Sequence, residues 1–283
     1  MKKFCIASIV LSVVLGLIRI ADLLLWTDWE TGFVQGGAFW RYLLFLPMLA
    51  LAFAAAASIP YGRPLHIDPR RRLQARGLMC LCGALSGGYA VWLFVLSVAD
   101  LSDVPQGHHA NAFTETMSTM ADMAGVLFFA GLAAWLIVLA VRLTRSDMPD
   151  EGWRSTMLLL AIPATLGFYV YIVRNVVMRS ASAQRVPAVM EAVAVVTVLV
   201  YLTVAAKSLL TPAQDGARRT VFWGLMTFGC ATCLMMPQSV WLVLNRMRAM
   251  SLLLALLCGG VGLLGAFTAL CACEAPQQDN GGV

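Results

Sequence analysis

Eight apolar runs of about twenty residues each leave this 283-residue chain few folds to adopt. A helix needs roughly 20 apolar residues to cross a hydrocarbon core of about 30 Å. Segments 4–26, 40–59, 77–98, 117–141, 155–177, 187–206, 220–244 and 249–272 meet that requirement. Lipid offers no partner for backbone N–H and C=O groups, so each run must satisfy its own by forming a helix. The expected fold is an all-α integral membrane protein, a bundle of about eight transmembrane helices. Residues 1–273 are expected to form a single polytopic domain, and the polar residues 274–283 a short disordered cytoplasmic tail.

Composition agrees. Only 12% of the residues are charged, against roughly 25% in soluble domains. A soluble chain with so little charge could not cover its own surface, so the apolar excess must face the lipid bilayer. The loops are too short to hold a soluble domain, and any chemistry is therefore expected within or against the membrane.

Orientation follows from one loop. Arg63, Arg70, Arg71, Arg72 and Arg76 fall within fourteen residues between the second and third spans, and dense positive charge beside a span resists translocation. With that loop inside, both termini are cytoplasmic. The inner face then carries 13 basic and 7 acidic residues, and the outer face and outer helix ends 7 and 8. This asymmetry explains the net charge of +5 as a topology signal with some attraction for anionic lipid, and it excludes nucleic acid as a partner. Trp26, Trp29, Trp40 and Trp241 at the outer boundary, with Trp153 and Trp223 at the inner one, fit an aromatic belt. The start, Met-Lys-Lys-Phe and an apolar run, has the outline of a signal peptide. Arg19 and Asp22 inside that run, and the lack of a good cleavage site, favour an uncleaved first span. A bacterial plasma membrane is the expected location.

A faint internal repeat runs through the chain. Arg71-Arg72 precedes Gly77-Leu78-Met79 and then Val91-Trp92-Leu93, as Arg218-Arg219 precedes Gly224-Leu225-Met226 and then Val240-Trp241-Leu242. A four-helix unit used twice would give two halves in parallel pseudo-repeat. Gly83 and Gly87, and the series Gly259, Gly260, Gly262 and Gly265, are expected to let helices approach closely. Pro47, Pro163 and Pro237 sit inside spans and are expected to bend them.

Ionisable residues inside spans are costly and usually face the bundle interior. Arg19, Asp22, Asp122, Arg174 and Glu191 all lie roughly 6 to 10 Å below the outer boundary at 1.5 Å per residue. Arg19 and Asp22, three apart, share a helix face and can pair. Five charges at one depth suggest an outward-facing chamber for a ligand or ion; the plainer alternative is structural pairing or snorkelling to the headgroups. A second constellation, His108, His109, Met117, Met120 and Met123, combines imidazoles with thioethers three apart on a helix. Such ligands suit copper(I), although methionine equally fills irregular cores.

The eight cysteines read as small apolar packing. Cys230-x-x-Cys233 has redox spacing but lies near mid-bilayer, where a thiol is inert, and no structural disulfide is expected. No histidine falls in a span, which removes the usual axial ligand of a membrane haem. No cofactor is expected. Ser86 within Gly83-Ala-Leu-Ser-Gly87 resembles an intramembrane protease motif without the histidine base it would need. Pro237-Gln238 resembles the Pro-Gln signature of seven-helix sugar and amino-acid carriers, but only one of three such dipeptides lies in a span and the span count differs.

Three functions fit. The first is a small-solute transporter or permease-like protein, with Asp22, Asp122 and Glu191 holding a cation or proton and Arg19 and Arg174 an anionic group. The second is a non-enzymatic sensor or partner subunit, whose arginine loop docks a cytoplasmic protein. The third is a membrane-embedded enzyme on a lipid-linked substrate, with Asp122 or Glu191 as acid or base. The first two outrank the enzyme.

Overall fold

A computed structural model describes residues 1–27, 39–65, 67–102, 112–142, 151–173, 186–210, 216–244 and 252–274. The protein is an all-α membrane bundle. Its helices are α1 (Lys2–Trp26), α2 (Phe39–Tyr42), α3 (Phe45–Ala57), α4 (Arg72–Ser102), α5 (Ala112–Arg142), α6 (Glu151–Ile172), α7 (Val186–Leu210), α8 (Gly216–Thr227), α9 (Met236–Leu244) and α10 (Leu252–Glu274). Helices α8 and α9 are joined by a π-helical stretch, Phe228–Met235, into one span. Seven spans are long and apolar enough to cross a membrane. The tail from residue 275 onward lies outside the described residues.

The expected second span is where the chain departs from a plain helix. Residues 40–59 divide into α2, a turn at Leu43 and Leu44, and a 13-residue α3, which rises only about 20 Å. The cause is Pro47. Without an N–H it cannot donate to the Leu43 carbonyl, four residues back. That carbonyl instead accepts from the Leu46 N–H at 3.1 Å, and the Arg41 carbonyl accepts from Leu44 at 3.3 Å. The tightened turn sets α2, and Arg41 on it, apart from α3.

Pro237 acts similarly in the seventh span, withholding the α-helical donor of the Cys233 carbonyl. The backbone before it is widened into eight residues of π-helix. There the Cys233 oxygen meets α1 so closely that a Cβ on Gly16 would come within 2.7 Å of it. Thr232 Oγ1 donates to the Gly259 carbonyl of α10 at 2.8 Å.

Helix α10 is the centre of the bundle, with 72% of its apolar window buried. It packs on α4, α8, the π stretch and α1. Gly224 and Gly265 bring α8 and α10 to backbone contact: a Cβ on either would lie 2.6 Å from the other's carbonyl oxygen. Gly83 does the same for α4 against Ile137 and Ala133 of α5. Helices α4, α5, α6, α7, α8 and α10 pack each on the next, closing a ring, while α1 and α3 lean on α8 from outside it. The two sequence halves do not take equivalent neighbours. The third and eighth spans pack on each other, but the fourth and seventh share no comparable contact among the described residues.

One end of the bundle gathers the basic residues. Glu274 at the end of α10 pairs with Lys2 at 2.7 Å and with Arg71 at 2.5 Å, so both ends of the described chain lie on one face. The Ala217 N–H donates to the Arg63 carbonyl at 3.2 Å, and the Arg218 guanidinium sits 4.5 Å over the Tyr61 ring. The arginine loop is shorter than its sequence suggests. Asp68 accepts from the Arg70 and Arg71 N–H groups, starting a 3-10 turn at Pro69, so Arg72 and Arg76 already belong to α4.

Candidate functional site

At the other end of α1, four polar side chains close on one another inside the apolar bundle. Arg19 and Asp22 stand one turn apart on α1, and the Arg19 Nη1 donates to the Asp22 carboxylate. Arg41, from the turn that Pro47 sets apart, donates through Nε to both Asp22 oxygens at 3.0 and 2.9 Å and through Nη2 to Oδ1 at 2.7 Å. From the far side Gln238, the residue after Pro237, accepts from Arg19 Nη2 at 2.8 Å. Arg19 and Gln238 are 0% exposed, and Asp22 and Arg41 are 1% exposed. The four side chains carry two positive charges, one negative charge and a neutral amide.

Two interrupted helices build this cluster. Irregular backbone at membrane depth is tolerated only where protein or a cavity covers it, and discontinuous spans mark binding sites in many transporters. Single π stretches likewise concentrate at functional positions. Here one interruption presents Arg41 and the other Gln238, with Arg19 and Asp22 between them on an unbroken helix.

The cluster is a poor device for stability alone. Removing two charges from water costs several kcal/mol per ion, and well-packed apolar residues are often as stable or more so. Not every polar atom is satisfied. Arg19 Nε, Thr27 Oγ1 and Ser239 Oγ are buried without a hydrogen-bond partner among the described residues. A guanidinium holds its donors in a fixed fork suited to planar oxyanions, so the chemistry available is recognition of an anionic group.

The five charges expected to form a chamber have separate surroundings. Arg19 and Asp22 meet as their spacing implies. Asp122, 5% exposed, lies on α5, which packs on α4 and α6 and shares no extended contact with α1, α2 or α9. Glu191 is half-buried on α7, within electrostatic reach of the Cys258 thiol on α10. Arg174 lies outside the described residues. Arg41 and Gln238, which complete the cluster, were not singled out from sequence. Their signal was position: each lies close to a proline inside a span.

The other constellation is spread out. His108 and His109 lie outside the described residues, as does His66. Of the methionines on α5, Met120 is 63% exposed while Met123 is half-buried. The described residues contain no group of three or more His, Cys, Asp or Glu able to hold a metal. All eight cysteines are free, and Cys230 and Cys233 belong to the π stretch.

Comparison with protein-family models, with curated proteins and with solved structures gives no match.

Proposed function

We propose that this chain is a non-enzymatic small-solute transporter of permease type, whose solute site is the cluster of Arg19, Asp22, Arg41 and Gln238. The observation that carries it is the convergence of two interrupted spans on buried ionisable side chains. A buried charge inside a membrane is retained where it serves a pathway or a ligand, and each interruption offers a place for the helix to bend. In this reading α2 and α9 move relative to α1, exposing the guanidiniums in turn. The orientation that goes with it puts the Lys2, Arg71 and Glu274 face in the cytoplasm of a bacterial cell and the cluster toward the outside.

The test is flux. Purified protein in liposomes is loaded with one small organic solute at a time and assayed for counterflow of the labelled solute. Transport that disappears in Arg19→Gln is the expected result. Absence of flux for anionic, neutral and cationic solutes alike would sink the reading.

A sensor or partner subunit is the second reading, favoured by the completeness of the latch: Asp22 binds both guanidiniums while all four side chains are buried. In that case a ligand would release the latch without crossing, and the arginine-rich face would pass the change to a cytoplasmic protein.

A further inference from the structure

We infer that the cluster is a carboxylate site, in which the Asp22 side chain stands in for the carboxylate of a small monoanionic solute. This rests on the transport reading of the same residues and names what would be carried.

Charge comes first. Among the four side chains two guanidiniums face one carboxylate, so a single added carboxylate balances the group. A phosphate dianion would overshoot, and a cation would add to the excess. Buried charges are stable only when paired, and this arithmetic selects a monoanion.

Geometry points the same way. Arg19 has five N–H donors; Nη1 is directed at Asp22 and Nη2 at Gln238, while the Nε–H has no partner. A buried donor left unmade costs about 1–3 kcal/mol, and an oxygen from an incoming carboxylate would satisfy it. Gln238 offers Arg19 only a neutral carbonyl, a weaker acceptor than a carboxylate, and so the partner more readily exchanged. Asp22 is tethered to the same helix as Arg19, three residues on. It holds the site when no solute is present and yields part of its hydrogen bonding when one arrives.

Thermal unfolding of the purified full chain tests this without a flux assay. Wild type, Asp22→Ala and the double variant Asp22→Ala with Arg19→Gln are titrated with sodium formate or acetate, and with chloride or phosphate at matched ionic strength. Ligands that bind only the folded state raise its midpoint in a saturable way. Formate and acetate are expected to raise the Asp22→Ala midpoint by several degrees and recover most of its loss, with chloride and phosphate inert and the double variant unresponsive. An equal response to every anion, or one that survives Arg19→Gln, overturns the inference. Should Asp22→Ala fail to fold, line broadening of ¹³C-formate by wild type supplies the measurement. It is expected to be saturable and lost in Arg19→Gln, and its absence from wild type overturns the inference. The two proposals fail separately. Carboxylate binding without flux removes transport and keeps the site, whereas flux of neutral or cationic solutes without a carboxylate response removes the site and keeps transport.

Discussion

Arg41 grips Asp22 side-on, with Nε and Nη2 reaching both carboxylate oxygens at 2.7–3.0 Å, although the two residues belong to different helices. The fork geometry fixes α2 against α1 more firmly than a point charge would. Asp22 is therefore the hinge pin of the outer end of the bundle, holding Arg41 on one side and Arg19 on the other.

Asp22→Asn should be among the most damaging single substitutions in the protein. It leaves two buried guanidiniums facing a neutral amide, and breaking a buried ion pair from one side costs about 3–5 kcal/mol. Unfolding of the detergent-solubilised protein by a denaturing detergent measures the loss. A change within about 0.5 kcal/mol, typical of exposed positions, would show that the pairing contributes nothing.

Gln238→Glu should separate stability from recognition. The introduced carboxylate gives Arg19 a charged partner in place of a neutral one, so the folded protein is expected to match or exceed wild type in thermal midpoint. The same change completes the charge balance internally. It is expected to abolish the response to formate and acetate. A variant that still responds would place the anion elsewhere.

Gly265→Ala should force α8 and α10 apart. Its Cβ would sit 2.6 Å from the Gly224 carbonyl oxygen, a backbone atom that cannot rotate away. Overpacking of this kind costs about 1–3 kcal/mol. Gly131→Ala on α5, where a Cβ meets open space, is the control and is expected to be neutral or mildly favourable through helix propensity. Equal losses at the two positions would remove the close-contact explanation.

Orientation can be read by labelling. Single cysteines at Lys3 and at Tyr61, which is 78% exposed, are expected to share one side of the membrane, with a cysteine at Phe39, 75% exposed, on the other. An impermeant maleimide applied to intact cells is expected to modify the Phe39→Cys protein alone. Labelling of the first two instead would invert the orientation.

Much of the outline was legible because lipid permits so few choices. Length and apolarity alone mark seven of the eight spans. The i,i+3 spacing of Arg19 and Asp22 gives their contact, since both members lie on one helix and local geometry decides it. The second span was misjudged in continuity because Pro47 acts through hydrogen bonds, and apolar composition does not register a carbonyl that takes its donor one residue early. The arginine loop was drawn too long for a related reason: Asp68 starts the next helix through backbone donors, which charge counting does not see.

The amino-acid sequence by itself determined the solvent this protein lives in and the helices it must form, because an unpaired backbone in hydrocarbon is too costly to exist. It also set the depth of each charge along its helix. Only the tertiary structure decided which charges meet. Depth says nothing about rotation or neighbours, and Asp122 at a depth similar to Asp22 belongs to a helix packed elsewhere in the bundle. Arg41 and Gln238 reach Asp22 and Arg19 across separations of 19 and 219 residues. Their meeting depends on two proline interruptions and a glycine contact between backbones, which take effect only once the helices are packed.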